Sequence, residues 1–471
     1  MPRLAINIGQ ATGGRGDALA EVLCRAGLPA VRPDWGTPGG LAYAPAPAEG
    51  AVALPDKGLF ERRDRWRAEA REVLAHVAAA RTRAELAGRL FRCEGETWSC
   101  PFDLPAVVFG LLNRWEEDLD PVRDTHGRWP LRASLLATGD LVDRPAADWL
   151  AEALGIVLRE ALALRGPAVT PWGDKNWAFA LTFDIDAAAM YRDGAWGRTL
   201  RRMQVQRGVT ATLPYAVEAA LVLAGRRRDP IDNLDALADR LGDLDAQATF
   251  FVQALRESPF DNYALAESPL LVRGLRRLHA RGHEIALHGS YATIDRDARF
   301  LARQRRALLR QTGVCTTMHR AHYLRSGGPQ DHALYARAGV RVDCTPGFSE
   351  REGFRLGTAW PTRTRTRAGD VTLVPMHVMD VTLRTHRQLD VTEAERAARR
   401  ILARARETGG IGVMLWHPHN LEPRLWRHWR EIPFALAEWA HAQGARVGTI
   451  GELVARWEDF RRDWAPPASD R

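Results

Sequence analysis

Between residues 175 and 450 the chain alternates short, largely apolar runs, several ending on a polar residue, with helix-forming sequence. The runs are WAFALTFD, ATFFVQAL, HEIALH, VRVD, IGVMLWH and RVGTI. A segment apolar on both faces reads as a strand buried on both sides, the kind found in parallel sheets. Strand–helix alternation on this scale means a parallel sheet with crossover helices. The helices carry their own signals. Ser268 and Pro269 make a start, Leu271, Leu275 and Leu278 share one face, and Gly282 makes a stop. Thr392 and Glu395 have capping-box spacing for a helix that stops at Gly409 and Gly410. The polar residues of interest sit where strands end: Asp184, His288, Asp343 and His417. In α/β barrels, catalytic groups gather at those ends.

Ahead of this series the pattern differs. The chain, at 471 residues, is too long for one ordinary core. Residues 1–55 read as irregular with a possible strand at the start, residues 60–90 as helix, Pro105–Leu119 as helix and Ala146–Leu164 as helix. DLDPVRDTHGRWP has turn chemistry, and RGPAVTPWGDK marks a boundary. The expected division is an accessory domain at 1–168, mainly helical after residue 60, a second domain at 169–462, and a flexible tail at 463–471.

Composition narrows the function classes. Hydrophobic residues make up 46% and charged residues 26%, which suits a globular protein. The net charge of +8 comes from arginines spread through helical sequence, with Lys57 and Lys175 the only lysines. That distribution reads as a solvated basic surface rather than a nucleic-acid-binding strip. Five cysteines, none in a CxxC pair, argue against a disulfide framework. No apolar run is long enough to span a bilayer, and the first residues have too short an apolar stretch for a secretory signal. A cytoplasmic location is expected.

Four segments could carry chemistry. In FDID, Asp184 and Asp186 project to the same side of an extended chain, either as a metal-binding acid beside a proton acceptor or as turn and cap aspartates. In GHEIALHGSY, His288 ends a strand, as a packed residue or as a metal ligand. In HRAHYLR, Arg320 could orient a carboxylate, His322 could ligate a metal and Tyr323 could shape a pocket; a surface salt bridge is the plainer reading. In LWHPHN, His417 could protonate a leaving group or be a structural histidine, and Trp416 could line the substrate pocket. His377 and Asp380 in PMHVMD could be a ligand pair, an outer support or a structural pair. Eleven of the 14 histidines fall between His279 and His428, which favours an enzyme. No P-loop, nucleotide-binding glycine pattern or serine-nucleophile elbow competes.

In their order, LTFDID, ATFFV, GHEIALHGS, the RAHY segment and MLWHP resemble the polysaccharide-deacetylase superfamily, the NodB-homology or carbohydrate esterase family 4 group. The resemblance covers about residues 175–450. FDLPAVVFGLLNRWEEDL, DTHGRWP and the VDRP segment also look like a poorly characterised N-terminal domain found with one bacterial branch. The resemblance implies an α/β fold, an irregular (β/α) barrel of the polysaccharide-deacetylase type, joined to a smaller N-terminal α+β domain. It implies a divalent ion, commonly zinc, and removal of N-acetyl groups from a carbohydrate by activated water. Asp184 matches the family's base, Asp186 its metal-binding acid, Arg320 its arginine and His417 its general acid. The family's second motif has two histidines four residues apart; His288 matches the first, and Ala292 stands at the second. The resemblance then implies a replacement ligand, His322 first and His377 next. Expected partners are a carbohydrate or small acylated-amine substrate, with no nucleic acid. The rival readings are a noncatalytic glycan-binding or interaction protein, and a hydrolase of another non-peptide carbon–nitrogen bond.

Overall fold

The computed structural model describes residues 2–8, 14–45, 50–192, 196–197, 200, 209–422 and 426–466. Strands β1 (Arg3–Asn7), β2 (Arg32–Trp35), β3 (Gly39–Ala44), β4 (Gly50–Pro55), β5 (Arg92–Glu94) and β6 (Thr97–Ser99) form one sheet in the order β2-β1-β3-β4-β6-β5. Its pairs are parallel except the β5–β6 hairpin. The stretch expected to be irregular thus holds four strands. β1 is the possible strand expected at the start; the Gly, Ala and Pro content of β3 and β4 hides those two, because strand formation there comes from pairing rather than from β-branched side chains.

Two expected helices are broken. Residues 60–90 split into Arg63–Ala79 and Arg83–Leu90, because the Thr82 side chain accepts from the Glu85 amide and starts a new helix. The 105–119 segment splits at Arg114, whose φ of 61° separates Leu104–Leu112 from Trp115–Leu119. The third helix spans Ala146–Ala161.

The second sheet contains β7 (Trp177–Ile185), β8 (Thr249–Gln253), β9 (Glu284–Gly289), β10 (Met318–Ala321), β11 (Val342–Asp343), β12 (Thr362–Thr366), β13 (Gly369–Leu373), β14 (Val378–Met379), β15 (Ile411–Trp416) and β16 (Ala445–Val447). Its order is β12-β13-β11-β10-β9-β8-β7-β15-β14, with β16 also beside β7, and it curls into a half-barrel. Only the β12–β13 pair is antiparallel. All six strands read from the sequence are present; β10, the β12–β13 hairpin and the two-residue β14 were not foreseen. The helix of Val391–Glu407 starts two residues before the expected cap: Asp390 accepts from the Glu393 amide, and Glu393 accepts from the Asp390 amide.

The pleat of β7 separates the hydrophobic interior from the chemistry. Trp177, Phe179, Leu181, Phe183 and Ile185 pack outward with the covering helices. Ala178 and Ala180 face the opposite way, into a second cluster with Phe251, Ala286, Val413 and Leu415. The same alternation puts Thr182 and Asp184 on that inner side.

A separate core gathers Leu4 through Leu158, and Trp464 joins it. The expected flexible tail is therefore corrected at its start: Trp464 is 3% exposed, and its burial holds the chain in place there. Residues 467–471 lie outside the described residues. The segment 165–175 also packs, with Trp172 fully buried and its indole N–H donating 2.6 Å to the Gly409 carbonyl.

Buried charges join the N-terminal part to the half-barrel. Glu117 accepts from Arg114 at 2.6 Å and from Arg355 at 2.7 Å, and Arg114 also donates to the Ser326 hydroxyl. Glu21 accepts from Arg25 at 2.7 Å and from Arg461 at 2.5 Å. Removing one member of such a buried cluster leaves charge without compensation, at a cost of about 3–5 kcal/mol. Glu117→Gln is expected to lower unfolding free energy by about 3 kcal/mol or more, read by denaturant unfolding. A change under about 0.5 kcal/mol, typical of a surface site, would show that this cluster does not hold the parts together.

Candidate active site

Parallel register brings the polar strand ends to one rim. Gln253 of β8 pairs with His288 of β9, His288 with Arg320 of β10, and Trp416 of β15 with Phe183 of β7. A cavity of about 330 Å³ opens there, lined by Asp184, Asp186, His288, His322, Tyr323 and His417 among others. Gly289 follows His288 because a Cβ there would collide with the His319 ring.

Asp184 is 3% exposed and accepts from Arg320 Nη1 at 2.7 Å. Arg320 is itself anchored: it donates to Thr182 Oγ1 at 2.9 Å and to the Cys344 carbonyl at 3.1 Å, and its guanidinium carbon lies 4.0 Å from the Phe251 ring centre. A guanidinium held at this many points fixes the place of its carboxylate partner.

Asp186, His288 and His322 form the second group, with one ligand atom from each lying within 4.8 Å of the others. Nε2 of His288 is 3.2 Å and Nε2 of His322 3.6 Å from Asp186 Oδ1. Neither makes a hydrogen bond to that buried oxygen, which has no hydrogen-bond partner. His288 Nδ1 lies 3.0 Å from the Arg320 carbonyl, an acceptor only, so Nδ1 donates. With that proton on Nδ1, Nε2 is the ring nitrogen that faces a carboxylate oxygen. A cation between these two atoms would hold them together. Tetrahedral zinc with bonds of about 2.0–2.1 Å separates its ligand atoms by about 3.3 Å. The Asp186–His288 and Asp186–His322 spacings fit that geometry, and the donors suit a divalent ion.

His417 completes the rim. Its Nδ1 is 2.7 Å from Asp380 Oδ1, and its Nε2 is 3.4 Å from Asp186 Oδ2. Asp380 also accepts from the His417 amide at 2.9 Å and from Asn420 at 2.8 Å. Burial alone would lower the His417 pKa, but the Asp380 and Asp186 carboxylates raise it well above the usual value. Burial would likewise raise Asp186, and His322 with His417 holds it well below the carboxylate range. His322 is pushed up to about 9: burial opposes its charge, and Asp186 and Asp261 outweigh that.

Three sequence readings are settled against or narrowed. His377 is not in the group: its Nδ1 accepts from the Val413 amide at 3.1 Å and its Nε2 donates to the Thr358 carbonyl at 3.2 Å, so both ring nitrogens are committed to backbone. Trp416 does not line the cavity, because strand alternation turns it into the outer core while Leu415 faces inward. Asp380 stands behind His417 as its carboxylate partner. Tyr323 does line the cavity and is 40% exposed; it and Leu324 have φ of 63° and 53°. Two consecutive non-glycine residues in this region cost roughly 1–3 kcal/mol each, and here they turn the chain out of the rim directly after His322.

Sequence reasoning missed Asp261, which accepts from Ser290, from the Tyr291 and Glu257 amides and from His322. No spacing in SPFDNYA announces it. It also missed His126 and Arg128, which reach the cavity from the N-terminal part. The only signal there was the density of polar residues in DTHGRWP. His126 Nδ1 is 3.1 Å from the Tyr291 hydroxyl, and Arg325 donates 2.7 Å to the His126 carbonyl.

Comparison with known proteins adds the following. Residues 40–163 match the model of a family of unknown function, DUF7033. No curated protein matches the chain. Among solved structures the chain is similar to a Mycobacterium smegmatis protein described as a polysaccharide deacetylase, at 22% identity and a TM-score of 0.44, over 64% of this chain and 96% of that one. It is similar to the peptidoglycan deacetylase PdaC from Bacillus subtilis at 14% identity and a TM-score of 0.32, over 63% and 100% of the two chains. A third is a CE4 family pseudoenzyme from Bacillus anthracis, at 13% identity and a TM-score of 0.30, over 60% and 66%. These similar structures include deacetylases and a pseudoenzyme. Among the described residues no helix is long and apolar enough to cross a membrane.

One divalent ion per chain is expected by elemental mass spectrometry after purification without chelators. Folded Asp186→Ala, His288→Ala and His322→Ala variants are each expected to lose most of it. Full retention in the His322 variant would remove that residue from the ligand set.

Proposed function

We propose that the chain is a metal-dependent hydrolase that removes N-acetyl groups from a carbohydrate or glycan-like substrate. One observation carries this reading: an arginine-clamped carboxylate, a histidine backed by its own carboxylate, and an Asp–His–His group with ligand spacing line a single cavity. That is the set of parts needed for attack of water on an acyl carbon.

A divalent ion bound by Asp186, His288 and His322 would supply Lewis acidity toward water and the acyl oxygen, and zinc is the ion this donor set favours. Asp184 accepts the proton of the attacking water. Arg320 keeps Asp184 in place, since it is itself anchored by two further hydrogen bonds on its own side. His417, charged through Asp380, donates its Nε2 proton to the leaving nitrogen. For an N-acetylated sugar the products are acetate and the free amine. Ala292 then marks a changed ligand set rather than a lost one, because His322 brings a second imidazole to Asp186.

The cavity mouth suits a sugar ring. Tyr323 packs edge-on to Tyr291 at 5.4 Å, Tyr291 stacks on Phe260 at 4.2 Å, and the His126 ring is 5.0 Å from Tyr323. Partly exposed aromatic faces with polar tips match the apolar face and hydroxyl rim of a pyranose.

Acetate release from N-acetylglucosamine oligomers and from peptidoglycan fragments tests the reading. Asp184→Ala and His417→Ala are each expected to lower kcat by about 10²–10⁴-fold with the fold intact. Turnover within about twofold of the wild type would sink the assigned roles. Tyr323→Ala is expected to raise KM by up to about tenfold, the worth of one aromatic contact of about 1 kcal/mol or slightly more, with a smaller change in kcat.

A further inference from the structure

The turn after β9 is where the resembled family carries its second histidine. In this chain that turn does something else. Ser290 Oγ donates to Asp261 Oδ2 at 2.6 Å, and the Tyr291 amide donates to Asp261 Oδ1 at 3.0 Å. The Glu257 amide donates to Oδ2 at 3.1 Å. With the Gln253 side-chain N–H donating to Oδ1 at 3.4 Å, four donors fix a carboxylate that is 3% exposed. Its Oδ1 lies 3.1 Å from Nδ1 of His322, whose other ring nitrogen lies 3.6 Å from Asp186. The Gln253 side-chain amide is 2.8 Å from the same Nδ1, and its Oε1 makes no hydrogen bond as placed. A half-turn of that amide would present a second acceptor to the ring in place of the N–H that it gives Asp261.

We propose that Asp261 is the positioning residue that makes His322 a metal ligand. Its carboxylate accepts the Nδ1–H, which leaves the lone pair on Nε2 toward Asp186 and His288. A sequence with no histidine at residue 292 thereby keeps two imidazoles in the group: the β9 turn holds the acid, and the acid orients a histidine that β10 delivers. The inference rests on the metal-dependent reading above and adds a residue that sequence motifs do not mark.

The test uses the full chain, stripped with a chelator and titrated with zinc alone against a chromophoric competitor. Asp261→Asn, which keeps the shape and the hydrogen-bonding size, is expected to weaken zinc binding about 10–100-fold, while the metal-free protein's melting temperature stays close to that of the wild type. Ser290→Ala, one contact further out, is expected to weaken it several-fold and stands in if Asp261→Asn does not fold. In the His322→Ala background, Asp261→Asn is expected to add no further loss, because its effect passes through the ring. Unchanged zinc affinity in Asp261→Asn, or a full additional loss in the double variant, overturns the proposal. Wild type that takes up no zinc overturns the metal-dependent reading itself, and the inference falls with it.

Discussion

Two carboxylates at the end of the central strand, Asp184 and Asp186, set the terms for the rest of the structure. Away from water an ionised carboxylate needs compensating charge and hydrogen bonds. Asp184 has Arg320; Asp186 has three imidazoles around it. Each of those partners in turn needs an anchor, and the fold supplies one apiece. The Cys344 carbonyl and Thr182 hold Arg320, the Arg320 carbonyl holds His288, Asp261 holds His322, and Asp380 holds His417. Charge balance thus extends from β7 through four neighbouring strands and the loops that follow them.

The N-terminal part belongs to the same arrangement. It has its own sheet and core, yet its buried acids pair with arginines of the half-barrel, and its 120–130 segment brings His126 and Arg128 to the cavity. Ion pairs buried on this scale add little net stability over apolar packing, but breaking one is costly, so they act as a register between the two parts. A region matched only to a family of unknown function is in this way a wall of the candidate site.

Much of the architecture is legible in the chain's own pattern, and the misses have physical causes. Long apolar runs mark β7, β8, β9 and β15 because burial on both faces leaves no polar positions. β1 was read only as a possible strand, and β2 to β4 escape notice because they are short and carry Gly, Ala and Pro. The capping box moved from Thr392 to Asp390 because two spacings of the same kind overlap there, and only the backbone decides between them. Asp184, Asp186, His288 and His417 can be picked out because each ends an apolar run or directly follows one, and Arg320 through the dense polar group of HRAHYLR. Asp261 cannot, since it sits in a loop and gains its role from donors 4, 29 and 30 positions away.

By itself, then, the sequence determined the parallel sheet, the strand-end placement of the reacting groups and the absence of a histidine at residue 292. Periodicity and chain order carry that information, and both are local. Which histidine stands beside Asp186, that His377 spends both nitrogens on backbone, that Trp416 faces outward, and that a loop acid and an N-terminal turn reach the rim were decided by the tertiary structure. Those outcomes depend on the curl of the sheet and on distances between residues far apart in the chain, which no local pattern records.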